Sequence, residues 1–169
     1  MTRHLLVALA LVSLSACGSN DLTARGSVIA SYGGTERGFD FVENTRLEAP
    51  EGGGVSGIVT GSCEMAAVGD GVYGIVVEIH GGNPAGDDFP LTSVTIMQRS
   101  DSLAETGSIE ATIGESTFTS SAGCSLVVPY AEADSGMVGL AGDCTVMNDT
   151  GEEATLSIDL DLIGCTVLE

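Results

Sequence analysis

Two stretches near the C-terminus constrain the fold most. Val138, Leu140, Gly142, Cys144 and Val146 alternate with Met137, Gly139, Ala141, Asp143 and Thr145, and Ala154, Leu156, Ile158, Leu160 and Leu162 alternate with Thr155, Ser157, Asp159 and Asp161. Successive side chains of a strand point to opposite faces, so this strict period of two predicts two β-strands, each with one buried and one wet face. A helix would scatter the same apolar residues around its circumference.

The same pattern recurs upstream in shorter pieces. Gly26 to Tyr32 and Arg37 to Glu43, joined by Gly33-Gly34, predict a first hairpin with Phe39 and Phe41 on one face. Glu48 to Gly54, with Pro50 and three consecutive glycines, reads as a loop. Further strands are predicted from Val55 through Val59 to Cys63, over Tyr73 to Ile79, Leu91 to Arg99, Gly107 to Ile113 and Ser116 to Ser120, with loops over His80 to Phe89 and Ser100 to Thr106. With 43% apolar residues the chain can form a core. Many short strands between Gly, Asn and Asp turns, and no period of 3.6, predict an all-β fold, an antiparallel β-sandwich or barrel of about nine strands.

The N-terminus carries a different signal. Arg3 precedes an apolar run from Leu5 to Leu14 that is too short to span a bilayer and ends in small residues, the layout of a secretory signal. Its last four residues, Leu14-Ser15-Ala16-Cys17, resemble the lipobox of bacterial lipoproteins. The resemblance implies cleavage before Cys17, acylation of its thiol and attachment of the mature chain to a membrane by lipid. Gly18 in place of an aspartate favours the outer membrane by the sorting rule of enteric bacteria. Residues 1–16 are then the signal peptide, 17–26 a lipidated tether, and 27–169 a single domain, the mature chain having 153 residues.

Charge narrows the partners. The chain has 24 acidic residues against five basic ones and no lysine, and loss of Arg3 with the signal peptide takes its net charge from −19 to −20. Binding to nucleic acid or to an anionic lipid surface by charge is excluded. The acidic residues are dispersed, with Asp87-Asp88 and Glu152-Glu153 the only adjacent pairs, as expected of a solvated surface.

Export to an oxidising compartment predicts disulfides among the four cysteines left after Cys17, which allow three pairings. A hairpin turning over Glu132 to Gly136, centred on Asp134, sets opposite one another residues whose numbers sum to 268, and Cys124 and Cys144 meet that condition. The same register places Leu126 opposite Gly142, Val128 opposite Leu140 and Tyr130 opposite Val138. A turn near Thr150 sets Cys144 against Leu156, which leaves Cys63 to pair with Cys165. That bridge closes a long loop, stabilising by about 4 to 5 kcal/mol in the chain-entropy model. It needs a bulge at Ile163-Gly164, because Cys165 falls on the polar parity of its strand. A metal or redox role for these thiols is disfavoured, since no C-x-x-C occurs and His80 is the one histidine of the mature chain.

Other chemistry is thinly represented. His80-Gly81-Gly82 resembles the backbone-donor loop of esterases, but no G-x-S-x-G is present and one imidazole would have to serve two roles. Asp159 and Asp161 share the wet face of one strand and are weak Ca²⁺ candidates, with Asp143 or Asp149 as further ligands. The loop carrying Asp87 and Asp88 is no stronger a candidate, and Asn148 to Glu152 reads as a turn. The expectation is a non-enzymatic, lipid-anchored envelope protein without a cofactor, a structural or interaction module with an unspecified protein partner. The alternative is a calcium-dependent adhesive or ligand-binding module, and a hydrolase ranks third.

Overall fold

The predicted alternation is realised as β-structure in a computed structural model that describes residues 21–48, 59–81, 91–101 and 107–168. The lipobox and Cys17, the strand start at Val55, most of the loops predicted over 48–54, 80–89 and 100–106, and Asp87-Asp88 lie outside the described residues. The strands are β1 (Thr23–Tyr32), β2 (Thr35–Arg46), β3 (Val59–Gly69), β4 (Val72–Gly81), β5 (Leu91–Arg99), β6 (Ser108–Ile113), β7 (Ser116–Glu132), β8 (Met137–Met147), β9 (Glu153–Ile163) and β10 (Thr166–Leu168). Among the described residues no helix is long and apolar enough to cross a membrane. The structured part begins earlier than the predicted tether allows: β1 starts at Thr23, and Leu22 and Ala24 are already buried.

All ten strands form one sheet in the order β10-β3-β4-β5-β6-β7-β8-β9-β1-β2. Tight turns explain most neighbours: Tyr32 pairs with Thr35 across Gly33-Gly34, Gly69 with Val72, and Ile113 with Ser116. The sheet curls into a barrel-like shape until β2 and β3 meet, where Glu48 bridges Thr60 in parallel fashion and its carbonyl accepts the Gly61 N–H at 2.9 Å. Parity requires this: β1 to β9 are nine strands, and an odd ring of antiparallel neighbours closes only through one parallel contact. The short β10, parallel to β3 from Thr166–Glu64 to Leu168–Ala66, extends that seam.

The core is the inner surface of this curl. β9 exchanges buried Ala154, Leu156, Ile158, Leu160 and Leu162 with exposed residues at every second position. Each fully buried Leu or Ile contributes about 1.5–3 kcal/mol. β8 and β9 pair without a shift from Met137–Ile163 to Met147–Glu153, with Cys144 opposite Leu156 as predicted. Phe118, Leu126, Ile96 and Ile79 continue the core through the other strands.

β7 departs from expectation. The segments predicted as separate, Ser116 to Ser120 and Cys124 to Tyr130, belong to one strand of 17 residues. It is long because it is bulged twice against β8, between Ser120 and Cys124 and between Val127 and Tyr130. The expected pairs Cys124–Cys144 and Leu126–Gly142 are present, whereas Tyr130 faces Gly139 and Ala131 faces Val138. The extra residue lies at Val128-Pro129, where proline has no N–H to give the ladder. Beyond it the parity inverts, so the tyrosine predicted to point inward stands on the outer face.

Candidate functional site

Strand directions gather one rim of the barrel from distant parts of the chain: the start of β1, the end of β9, and the turns β3–β4 and β7–β8. Here the Gly136 carbonyl accepts both the Gly164 N–H at 3.1 Å and the Cys165 N–H at 3.0 Å. Gly164 has φ +93°, and a Cβ there would stand 2.8 Å from the Asp21 carbonyl oxygen, so only glycine lets the chain turn against residues 21 and 22. The Leu22 carbonyl accepts the Leu47 N–H at 2.8 Å. Buried Leu47 in turn lies over Gly61, where a Cβ would come within 2.8 Å of Leu47 Cδ1. Three segments far apart in sequence thus lock the point at which residue 21 leaves the barrel.

A covalent bond completes this lock. Cys63 and Cys165 form a disulfide with Cα atoms 4.7 Å apart, spanning a sequence separation of 102. The bulge predicted at Ile163-Gly164 is replaced by a strand end: β9 stops at Ile163, and Gly164 swings the chain so that Cys165 turns inward against β3. The second disulfide, Cys124–Cys144, joins opposed residues of β7 and β8 with Cα atoms 3.9 Å apart. All four cysteines are buried.

On the outer face beside this rim, Tyr130, Gly139, Asp161 and Arg25 stand in one row across β7, β8, β9 and β1. The Tyr130 ring covers Gly139, where a Cβ would come within 2.6 Å of Cε1, and its hydroxyl donates to Asp161 Oδ1 at 2.6 Å. Desolvation, the hydrogen bond to Asp161 and the negative charges of Asp161 and Glu132 push the phenol up to about 12, with Arg25 opposing. Nothing in the sequence signals this pair, since it depends on the Pro129 bulge.

The calcium candidates are not assembled. Asp159 and Asp161 share the outer face of β9, but their cross-strand neighbours are Ala141 and Ser27 for the first, Gly139 and Arg25 for the second. Asp143 stands opposite Ser157, and Asp149 lies in the β8–β9 turn at the far rim. Among the described residues no three His, Cys, Asp or Glu side chains are grouped to hold a metal ion. That far turn is internally satisfied, as its sequence suggests. The Asn148 side chain accepts from the Glu152 and Thr150 N–H groups and donates to Glu152 Oε2 at 2.7 Å. Hydrogen bonds from Asn148, Tyr32 and Thr150 hold the Glu152 carboxyl below its ordinary range.

His80 is exposed at the end of β4, in register with Thr60 and Ser93, and no hydrogen bond joins it to Ser93 among the described residues. The esterase-like loop after Gly81 lies outside the described residues. Searches of protein-family models, curated proteins and solved structures find no match to this chain.

Proposed function

We propose that this chain is a lipid-anchored protein of the bacterial cell envelope, a non-enzymatic structural or interaction module held through acyl groups on Cys17. One observation carries the reading: two disulfides take up all four cysteines that follow Cys17. The thiol at the end of the lipobox-like segment is therefore the one left for acylation, and the paired thiols suit an exported protein. The locked rim supports it too, since Asp21 leaves the barrel four positions after Cys17 at a point fixed by Gly164 and Leu47. Gly18 favours the outer membrane as the place of attachment.

Metabolic labelling with palmitate tests the reading. The wild-type chain incorporates label and fractionates with membranes, and Cys17→Ala abolishes both. Label that persists in Cys17→Ala overturns the proposal.

A further inference from the structure

The outer surface of the barrel is divided in character. On β9 the outward residues are Glu153, Thr155, Ser157, Asp159 and Asp161, with Ile163 at the rim, and β8 and β1 add Asp143, Thr145, Arg25 and Ser27 beside Ala141 and Ile29. On β10, β3, β4 and β5 the outward positions near the locked rim are Leu168, Ala66, Val68, Gly74, Val76 and Met97, with Thr166 and the exposed Glu64 completing the row of Val76 and Met97. Register makes these neighbours: Leu168 lies beside Ala66, Ala66 beside Gly74, and Val76 beside Met97. Val68 is 54% exposed, Met97 47% and Leu168 43%. An open depression of about 260 Å³ lies over Gly74, Val76, Met97 and Arg99.

Position gives this face its meaning. Of the remaining large exposed apolar side chains among the described residues, Ile163 ends β9 at the same rim, Val42 and Val127 lie in the halves of β2 and β7 nearer to it, and Val167 is the middle residue of β10. Scattered apolar residues are normal on a protein surface, but scatter does not select one rim. The Asp21 backbone leaves the barrel against Gly164, four positions before the end of β10. From Cys17 to Asp21 the extended chain spans at most about 14 Å. An acylated Cys17 thus holds a bilayer within reach of the apolar face. A second copy is a poorer occupant, because a net charge of −19 sets two chains in mutual repulsion.

We propose that the outer face of β10, β3, β4 and β5 at the locked rim rests on the same bilayer that holds Cys17. The inference deepens the lipoprotein reading and depends on it. Val68, Val76, Met97 and Leu168 then enter the headgroup and acyl boundary, while Glu64 stays at headgroup level and Arg99 at their border keeps its two 3.0 Å hydrogen bonds to Asp101. The acidic face of β8, β9 and β1 is left toward solvent.

The chain contains no tryptophan, so a single introduced indole reports its own surroundings. Full-length, acylated Val68→Trp and Glu115→Trp variants are reconstituted into phosphatidylcholine vesicles with and without brominated acyl chains. Strong quenching and a blue shift are expected for the tryptophan at position 68, and neither for the one at position 115 in the β6–β7 turn of the far rim. In Val68→Trp, adding Leu168→Asp and Met97→Asp should abolish the quenching while the melting temperature and palmitate labelling stay as before. Equal quenching at both positions, or none at position 68 in a chain that carries palmitate, overturns the bilayer contact and leaves the anchor standing. A concentration-dependent dimer that protects position 68 from brominated lipid also overturns it. Absence of palmitate overturns the anchor reading itself, and the contact with it.

Discussion

The wall formed by β7, β8, β9 and β1 and the seam where β2, β3 and β10 meet hold one sheet together by different means. In the wall, β8 and β9 pair from end to end without a shift, and β1 and β9 do the same from Thr23–Ile163 to Ser31–Thr155. Backbone ladders and a continuous buried face carry most of the cohesion there, and Cys124–Cys144 staples β7 to β8 between the two bulges of β7. At the seam the ladder shrinks to Thr166–Leu168 on β3 and the single Glu48–Thr60 bridge, reinforced by Leu47 on Gly61 and by the Cys63–Cys165 bond. A curled sheet with an odd number of strands closes imperfectly, and here a covalent bond compensates where hydrogen bonding is sparse.

Removing each disulfide tests this contrast most strongly. The chain-entropy model assigns about 4.7 kcal/mol to a loop of the Cys63–Cys165 length and about 3.3 kcal/mol to one of the Cys124–Cys144 length. The paired Cys63→Ala and Cys165→Ala change should lower the melting temperature by roughly 15 °C, and the Cys124→Ala and Cys144→Ala change by roughly 10 °C. Thermal unfolding followed by circular dichroism reads both. If the second pair costs more than the first, the seam does not depend on its bond and the comparison fails. Hydrogen exchange sharpens it: loss of Cys63–Cys165 should raise exchange at the Gly61, Gly164 and Cys165 amides before the β8–β9 ladder responds.

Next in size are the apolar contacts of the two regions. Leu160→Ala removes a fully buried side chain from the wall, and Leu47→Ala removes the seam's apolar plug. Both should cost about 2–5 kcal/mol, the wall variant more, because the regular ladders around Leu160 resist collapse into the cavity. Urea unfolding measures the two, and the reverse order would show the seam to be the more rigid region. Within the wall, Gly142→Ala should cost more than about 1 kcal/mol, since Gly142 has φ +148° and an added Cβ would collide with the Ser125 carbonyl.

The same division governs what sequence reveals. The wall was legible because period-two alternation is a local signal, and a turn centred on Asp134 was enough to pair Cys124 with Cys144. Cys63–Cys165 followed by elimination, but its geometry did not: a glycine turn at Gly164 replaces the expected bulge, because the chain leaves β9 to reach β3. The β2–β3 contact and β10 have no local signature, being short parallel pairings of segments remote in sequence. The length of β7 was hidden for another reason, since its bulges at 121–123 and at Val128-Pro129 interrupt the alternation by which strands are recognised. The early start of β1 was hidden as well, as Leu22 and Ala24 are small islands of burial in a polar stretch.

The smallest expected effect concerns the outer surface of the wall, where Tyr130 covers Gly139 and bonds Asp161. Tyr130→Phe keeps the ring over the glycine and removes one partly exposed hydrogen bond to a carboxylate, so it should cost only about 0.5–1 kcal/mol near neutral pH. Its clearer signature is at alkaline pH. The phenol lies at about 12 in the folded chain against 10.0 as its ordinary value. The folded state therefore holds this proton more tightly than the unfolded state. The contribution is complete below pH 10 and is lost as the pH rises towards 12. Wild type should lose stability over that window, and Tyr130→Phe should lose less. Ultraviolet titration of the phenolate gives the pKa directly, and a Tyr130 that titrates near 10 would mean that Asp161 does not hold it. In that case the bulge at Pro129 would present the ring to solvent, and the outer row would add nothing to the wall beyond the cover over Gly139.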